Sequence, residues 1–447
     1  MRLLKSLLII AIVGLMSILL LAGCSQQHKD ENPDGSGSSN VGITGKTTEI
    51  TEQQEDKNPN TSVLSNGEIT EKTTEIAEQH EDKTSDDSVL GNAEIAGKIA
   101  EITESEKYYG DLTLAEKLEK NNIPAISIAI IDNYQISGVF TYGSKNKETK
   151  EKVTADTLFQ AASISKSVFA VAVMRLVEKG TLDLDMDITE YLIDYKLPTY
   201  DGKEHKITLR QILSHNAGLN VHGFEGYRQN KKKPTIENIL NGSGPANSAR
   251  LELAKAPETG FQYSGGGFIL AQKIVTDVCG YEFIEIMNEL ALFPFVMTSS
   301  TFLQPLPDDR LKEIAHGYNA KNQSLPGGYN IMPELAAAGL WTTPSDLARF
   351  GIEVMRAIKG ESTLLGKESA RSMLEAAYGN PEYGLGFQLG YSRKGKTFGH
   401  DGHNYGYLSK MQFCPAEGSG IVIMQNSDGS NLVLNEVFYA FWDVYGW

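Results

Sequence analysis

Ser163 and Lys166 stand three residues apart in the run Thr157-Leu-Phe-Gln-Ala-Ala-Ser-Ile-Ser-Lys-Ser-Val-Phe169. At that spacing on a helix, a hydroxyl and an amine share one face within reach of each other. This is the minimal arrangement for a serine nucleophile activated by an amine. The spacing alone does not decide it, because Ser144 and Lys147 repeat it inside the polar stretch 143–152. No apolar helix follows that copy. After Lys166 the chain reads Ser-Val-Phe-Ala-Val-Ala-Val-Met-Arg-Leu-Val-Glu-Lys-Gly180, an apolar helix with a glycine stop signal. Only the second copy has a buried rod behind it.

Acyl transfer also needs a base, donors for a developing oxyanion and an acid for the leaving group. A helix start supplies Ser163 with N–H donors and a favourable field. Lys166 has two possible uses: neutral, it accepts the serine proton; charged, it lowers the pKa of a neighbouring phenol. Tyr263 supplies such a phenol in Gly260-Phe-Gln-Tyr-Ser-Gly-Gly-Gly-Phe268, where three glycines permit close approach. An ordinary phenol titrates near 10, so Tyr263 needs an ammonium nearby to act as a base at neutral pH. Each residue also has a plainer reading. Ser163 is equally a helix cap and Lys166 a solvated charge. Tyr263 is equally a half-buried aromatic, and His400 a strand histidine. His215 and His316 read as structural or supporting residues, and Trp341 as core or cleft wall.

The surrounding elements are expected to hold this group. Pro124–Asp132 and Gln135–Tyr142 read as a β-hairpin around Asp-Asn. Residues 180–370 carry helical patterns and loops, among them a helix over Ile207–Leu219 closed by a glycine. Strand patterns return at 383–390, 396–400, 406–413 and 420–425, and 432–445 reads as an apolar helix. The fold class is therefore α+β, with one antiparallel sheet built from both chain ends and a mainly helical subdomain inserted beside it. The site is expected in the cleft between them.

With these segments in place, the chain resembles the serine β-lactamase and penicillin-binding protein superfamily, nearest its class C and DD-peptidase branch. Ser163-Ile-Ser-Lys166 matches the first motif, Tyr263-Ser-Gly265 the Tyr-x-Asn motif and His400-Asp-Gly402 the Lys/His-x-Gly motif. Leu213–Leu219 and Ala336–Leu347 are supporting phrases, and the likeness spans roughly 110 to 445. The resemblance implies that Ser163, Lys166 and Tyr263 are catalytic. It also implies that the N–H groups of Ser163 and His403 form an oxyanion hole, with His400, Gly402 and Gly265 lining the substrate site. Two departures bear on substrate choice. Gly265 replaces the asparagine that contacts the substrate amide, leaving that position empty or water-filled. His400 replaces lysine, a weaker and pH-dependent anchor for a carboxylate. Both argue against an efficient β-lactamase.

The ends of the chain concern location rather than chemistry. Arg2 and Lys5, an apolar run from Leu7 to Leu21 and then Ala-Gly-Cys24 form a secretory leader. The Leu21-Ala-Gly-Cys24 box resembles a bacterial lipoprotein signal, implying lipidation of Cys24, a membrane anchor and an extracytoplasmic location. Residues 24–107 then read as a disordered acidic tether. From Ser25 to Lys107 nineteen acidic residues face seven basic ones with no aromatic residue, in three repeats that start at Ile43, Ile69 and Ile95. Its acidity disfavours a nucleic-acid partner. The domain boundaries expected are thus 1–23, 24–107 and 108–447. Cys279 and Cys414 lie in no metal-binding spacing, so neither a metal nor another cofactor is expected.

The function these readings support is an acyl-serine hydrolase anchored outside the membrane, acting on a D-amino-acid, cell-wall-type peptide or a small ester or amide. A penicillin-binding sensor that acylates without turnover is the first alternative. A lipoprotein that works mainly by tethering is the second.

Overall fold

The computed structural model describes residues 97–447 apart from residue 99, so the expected leader, Cys24 and most of the repeat tether lie outside the described residues. Among the described residues there are nine strands: β1 (Ala125–Asp132), β2 (Gln135–Asn146), β3 (Glu151–Lys152), β4 (Phe159–Gln160), β5 (Trp341–Thr342), β6 (Gln388–Ser392), β7 (Gly395–Asn404), β8 (Tyr407–Cys414) and β9 (Ser419–Gln425). Seven of them form one sheet in the order β3-β2-β1-β9-β8-β7-β6, and β4 pairs separately with β5. Strand β1 lies antiparallel to β9, with Ile126 opposite Gln425. The two chain ends therefore meet in mid-sheet, as the strand patterns predicted.

The helices that matter for the site are α1 (Leu114–Lys120), α2 (Ser165–Glu178), α3 (Leu209–Leu213), α4 (Gly265–Cys279), α5 (Leu335–Ala338), α6 (Pro344–Lys359) and α7 (Leu432–Val444). The sheet is buried on both faces. Ala125, Ala129, Val422 and Met424 turn toward a core that includes α2, α4 and α6. Ile126, Ile128, Ile130, Ile421 and Ile423 turn the other way, onto α7 and α1. Successive side chains alternate faces, so a strand covered on both sides reads as the mostly apolar run of β1, whose residues 125–131 are all buried.

Three boundaries differ from the sequence reading. The helix expected over 207–219 is only the five residues of α3, because His215 takes a positive φ of 59° and the chain turns away into a loop. The strand expected over 383–390 begins at Gln388, and Tyr383 to Phe387 form a buried bend instead. The folded unit also starts upstream of residue 108. Ile102 and Tyr109 are fully buried with Phe441 in the α7-side core, and Lys107 pairs with Asp443 at 2.8 Å. The tether pattern hid this because the repeat's aliphatics are sparse, yet the last copy supplies Ile102.

Candidate active site

Ser163 sits in a single 3₁₀ turn, Ala162–Ile164, that runs directly into α2. The turn is reached through Ala162 at a φ of 50°, in the left-handed region that costs a non-glycine residue about 1–2 kcal/mol. The neighbours hold it there. The Ser165 hydroxyl donates to the Ala162 carbonyl at 2.6 Å and accepts from the Leu340 N–H at 3.1 Å. The Ala161 N–H donates to the Leu340 carbonyl at 2.9 Å.

Lys166 is buried one turn along. Its Nζ lies 3.0 Å from Ser163 Oγ and donates to the Ala337 carbonyl of α5 at 2.8 Å. The Gln272 side chain of α4 fixes α5 in turn, accepting from the Ala336 N–H at 2.8 Å. Burial lowers the Lys166 pKa from 10.5 to about 7. By contrast, Ser144 lies within β2 and Lys147 stacks over Tyr318, so the other Ser-x-x-Lys match forms no comparable pair.

Tyr263 immediately precedes Ser264, the N-cap of α4, whose hydroxyl accepts from the Gly267 N–H at 2.9 Å. The Tyr263 ring lies 5.1 Å from Lys166 Nζ, and its hydroxyl hydrogen-bonds to Ser163. Burial nevertheless raises its pKa, and the bond to Ser163 offsets only part of that. The phenol is therefore neutral at physiological pH. The pair is thus an amine of lowered pKa beside a neutral phenol, the arrangement expected for a neutral Lys166 and not for an ionised Tyr263.

The third motif enters from β7. Gly402 is required there by close approach: a Cβ would stand 2.3 Å from the Ala161 carbonyl oxygen and 2.1 Å from Ser409 Oγ. Ser409 on β8 donates to that same carbonyl at 2.8 Å, tying the sheet to the Ser163 turn. Asn404, at the end of β7, donates to the Gln160 side chain at 2.8 Å and the Ala338 carbonyl at 3.1 Å. A cleft of about 1150 Å³ opens over this junction, with Ser163, Tyr263, His400, Gly402 and His403 among its lining residues. His403 directs an exposed side chain to 4.0 Å from Asp428.

Gly265 does not line the cleft. Its position is neither empty nor open to water, in contrast to the sequence expectation. A Cβ there would lie 3.0 Å from the Phe224 ring and 3.1 Å from the His222 carbonyl oxygen. Phe224 occupies the space that a side chain would need. His400 is buried, and burial, reinforced by the Lys166 charge, lowers its pKa to about 4. It is neutral at pH 7. Neither Phe224 nor Tyr383, which bonds to His400 at 2.9 Å, carries a signal in the sequence, since both lie in loops brought in from distant positions. His316 packs against Gly328 away from the cleft, and Trp341 is buried between Tyr329 and Tyr407. Cys279 and Cys414 are unpaired thiols. Among the described residues, no group of His, Cys, Asp or Glu has the arrangement of a metal site.

A β-lactamase family model matches residues 111–440, three-quarters of the chain and the whole of the site just described. The chain belongs to the β-lactamase family. Members of this family are serine hydrolases of the β-lactamase and DD-peptidase type. Among curated relatives, Protein flp of Staphylococcus aureus strain N315 is 23% identical over 340 residues, covering 71% of this chain and 62% of that protein. The chain thus spans less than two thirds of the length of that relative. Esterase EstB of Burkholderia gladioli is 26% identical over 275 residues, 56% of this chain and 69% of the esterase. Among solved structures, the D-amino acid amidase of Ochrobactrum anthropi SV3 aligns with a TM-score of 0.62 at 21% identity, covering 76% of this chain and 97% of the amidase. That likeness establishes the β-lactamase-like fold.

Proposed function

We propose that this chain is an acyl-serine hydrolase acting on amides or esters, D-amino-acid derivatives included, whose leaving side carries no carboxylate near the scissile bond. The observation that carries the reaction type is the 3.0 Å approach of Lys166 Nζ to Ser163 Oγ, with that amine held on the Ala337 carbonyl and its pKa near 7. The neutral amine takes the Ser163 proton as Oγ attacks the substrate carbonyl. The N–H groups of Ser163 and His403 receive the developing oxyanion. The proton on Lys166 passes through the neutral Tyr263 hydroxyl to the departing nitrogen or oxygen, leaving an acyl-serine. Water, deprotonated by the same amine, then attacks the acyl carbon; Ser163 regains its proton and the acid departs.

The substrate class follows from the charges that line the cleft. Lys410 is its one lysine or arginine among the described residues, and it is neutralised by Asp401 at 2.8 Å. His400 is neutral, and Glu225 and Glu382 add negative charge at the rim. A substrate carboxylate meets no free cation there. Amides and esters therefore fit better than penicillins or C-terminal D-Ala-D-Ala, which supports the amidase and esterase relatives as guides over the sensor reading. The test is a panel of D-amino-acid amide, short-chain ester, D-Ala-D-Ala peptide and penicillin, with wild type and Ser163→Ala. Turnover of amide or ester that vanishes in Ser163→Ala is expected. Penicillin acylation as the main activity, or equal rates in both proteins, overturns the reading. A lipid anchor at Cys24, with an extracytoplasmic location, belongs to the same proposal. It rests on the Leu21-Ala-Gly-Cys24 box, and loss of fatty-acid labelling in Cys24→Ser tests it.

A further inference from the structure

Behind the catalytic group lies a buried chain of three aromatic side chains, each with its polar atoms paired. The Ser264 N–H donates to His215 Nδ1 at 3.0 Å. A backbone N–H has only a proton to offer, so Nδ1 is unprotonated and the proton of neutral His215 resides on Nε2. His215 Nε2 lies 3.2 Å from the Tyr383 hydroxyl, to which it donates. The Tyr383 hydroxyl lies 2.9 Å from His400 Nε2. At the far end His400 Nδ1 stands 2.6 Å from the Asp401 carbonyl, which only accepts, so Nδ1 carries the proton and Nε2 accepts from Tyr383. A backbone donor at one end and a backbone acceptor at the other leave a single proton register for the whole chain. All three side chains are buried.

The near end of this chain is fastened to the catalytic loop. The His215 ring stacks on Tyr263 at 4.2 Å between centroids. His215 also accepts from the Gln262 N–H through its carbonyl at 2.7 Å and from the Ser264 N–H through its ring. Tyr263 is therefore gripped on both sides by one histidine, and that histidine's ring is fixed by Tyr383.

We propose that Tyr383 is a positioning residue for the reaction: its hydroxyl locks the two imidazoles in one proton register and thereby fixes the aim of Tyr263 at Ser163. The proposal rests on the assignment of Ser163 and Tyr263 to acyl transfer. A second proton on His215 sets donor against donor at Ser264. A second proton on His400 sets a donor against the Tyr383 hydroxyl and strips the phenol proton of its acceptor. The groups facing His400 from the elements packed around it are Lys166, Tyr263, Tyr383, Asp401 and Lys410. The lysines oppose that second proton, and the Asp401 carbonyl and carboxylate favour it. The register therefore outlasts the protonation of Lys166, whose charge disfavours a second proton on His400, and fails only in stronger acid.

The test is Tyr383→Phe, measured beside His215→Asn, the double variant and Ser163→Ala, all in the full chain and with the best substrate of the panel. Tyr383→Phe is expected to lower kcat about 10- to 100-fold with KM within about twofold, as loss of aim rather than of binding. The acid side of its kcat profile should also move to higher pH, because the hydroxyl that donates to His400 Nε2 no longer favours the neutral ring. His215→Asn keeps an acceptor for the Ser264 N–H but loses the link to Tyr383. Its effect and that of Tyr383→Phe should therefore not add in the double variant. Melting temperatures identify variants that fail to fold. Should Tyr383→Phe misfold, the same non-additivity and profile change are read from Tyr383→His and His400→Gln. An unchanged kcat, a kcat loss with an unaltered pH profile, or fully additive losses overturns the proposal. If Ser163→Ala keeps the wild-type rate, it is the acyl-serine reading that fails; if Ser163→Ala is inactive and Tyr383→Phe is not impaired, only the role of Tyr383 fails.

Discussion

The floor and the wall of this cleft are built by different rules. The floor, comprising Ser163, Lys166 and the Tyr263 ring, is tied to α5, α4 and the sheet by bonds to backbone groups: Lys166 to Ala337, Ser165 to Ala162, Ser409 to Ala161. The rim, by contrast, is made of exposed loop residues such as Glu225 and Glu382, with an ion pair between Asp401 and Lys410. Desolvation tunes the floor, moving Lys166 down and Tyr263 up. Charge balance in water tunes the rim. On the proposed function, the chemistry of bond breaking is set by burial, and the choice of bond by residues that cost little to exchange.

The sharpest way to break this contrast is at the floor. Ser163→Ala should reduce kcat/KM on the order of 10³-fold or more without altering substrate binding, as seen by comparing kcat/KM with a direct binding isotherm. Lys166→Met should cost about 10²- to 10⁴-fold as loss of a general base. In the wild type, kcat/KM should rise with pH through about 7 as that amine loses its proton. The same amine has a stability signature. Its folded pKa is lowered from 10.5 to about 7, so the unfolded chain binds the extra proton between those values. The burial penalty is full below pH 7 and gone above 10.5. The melting temperature of Lys166→Met should therefore exceed that of the wild type by more at pH 6 than at pH 9.

Gly265→Asn probes the boundary between floor and wall. The new side chain meets the Phe224 ring at 3.0 Å and should cost about 1–3 kcal/mol by overpacking, measured by denaturant unfolding. Phe224→Ala in the same chain should restore most of it. The smallest effect belongs to the rim. Asp401→Asn frees Lys410 of its partner and should improve KM for a carboxylate-bearing substrate only a few-fold, given that such exposed pairs are worth about 0–1 kcal/mol. A large effect there would erase the distinction between floor and wall.

The same contrast explains what could be read from the amino-acid order. Ser163 and Lys166 were legible because their geometry is local, three residues on one rod with an apolar helix behind. Tyr263 and Gly402 were legible through motif order, and Gly402 has its reason in the approach of β7 to Ala161. The sheet was legible at both ends because β1 and β9 are mostly apolar, β-branched runs. What was hidden is long-range and loop-borne. Phe224 and Gly265 are 41 positions apart in sequence, Tyr383 and His215 are 168, and no period or composition links either pair. The start of the folded unit was hidden for a related reason: Ile102 looks like one more repeat aliphatic, yet it is buried in the same core as Phe441, far along the chain.

The pairing of β1 with β9 also bears on how the chain is made. Strands bonded in mid-sheet are separated by about three hundred residues of sequence, and such remote contacts must bear a large loop-closure entropy before they are rewarded. The Ser163 turn leaves the ribosome long before β7, β8 and β9 exist to support it. Assembly of the Ser163 group is consequently expected to wait for the last strands, and a chain cut anywhere before residue 419 should be inert even though it contains the serine, the lysine and the tyrosine.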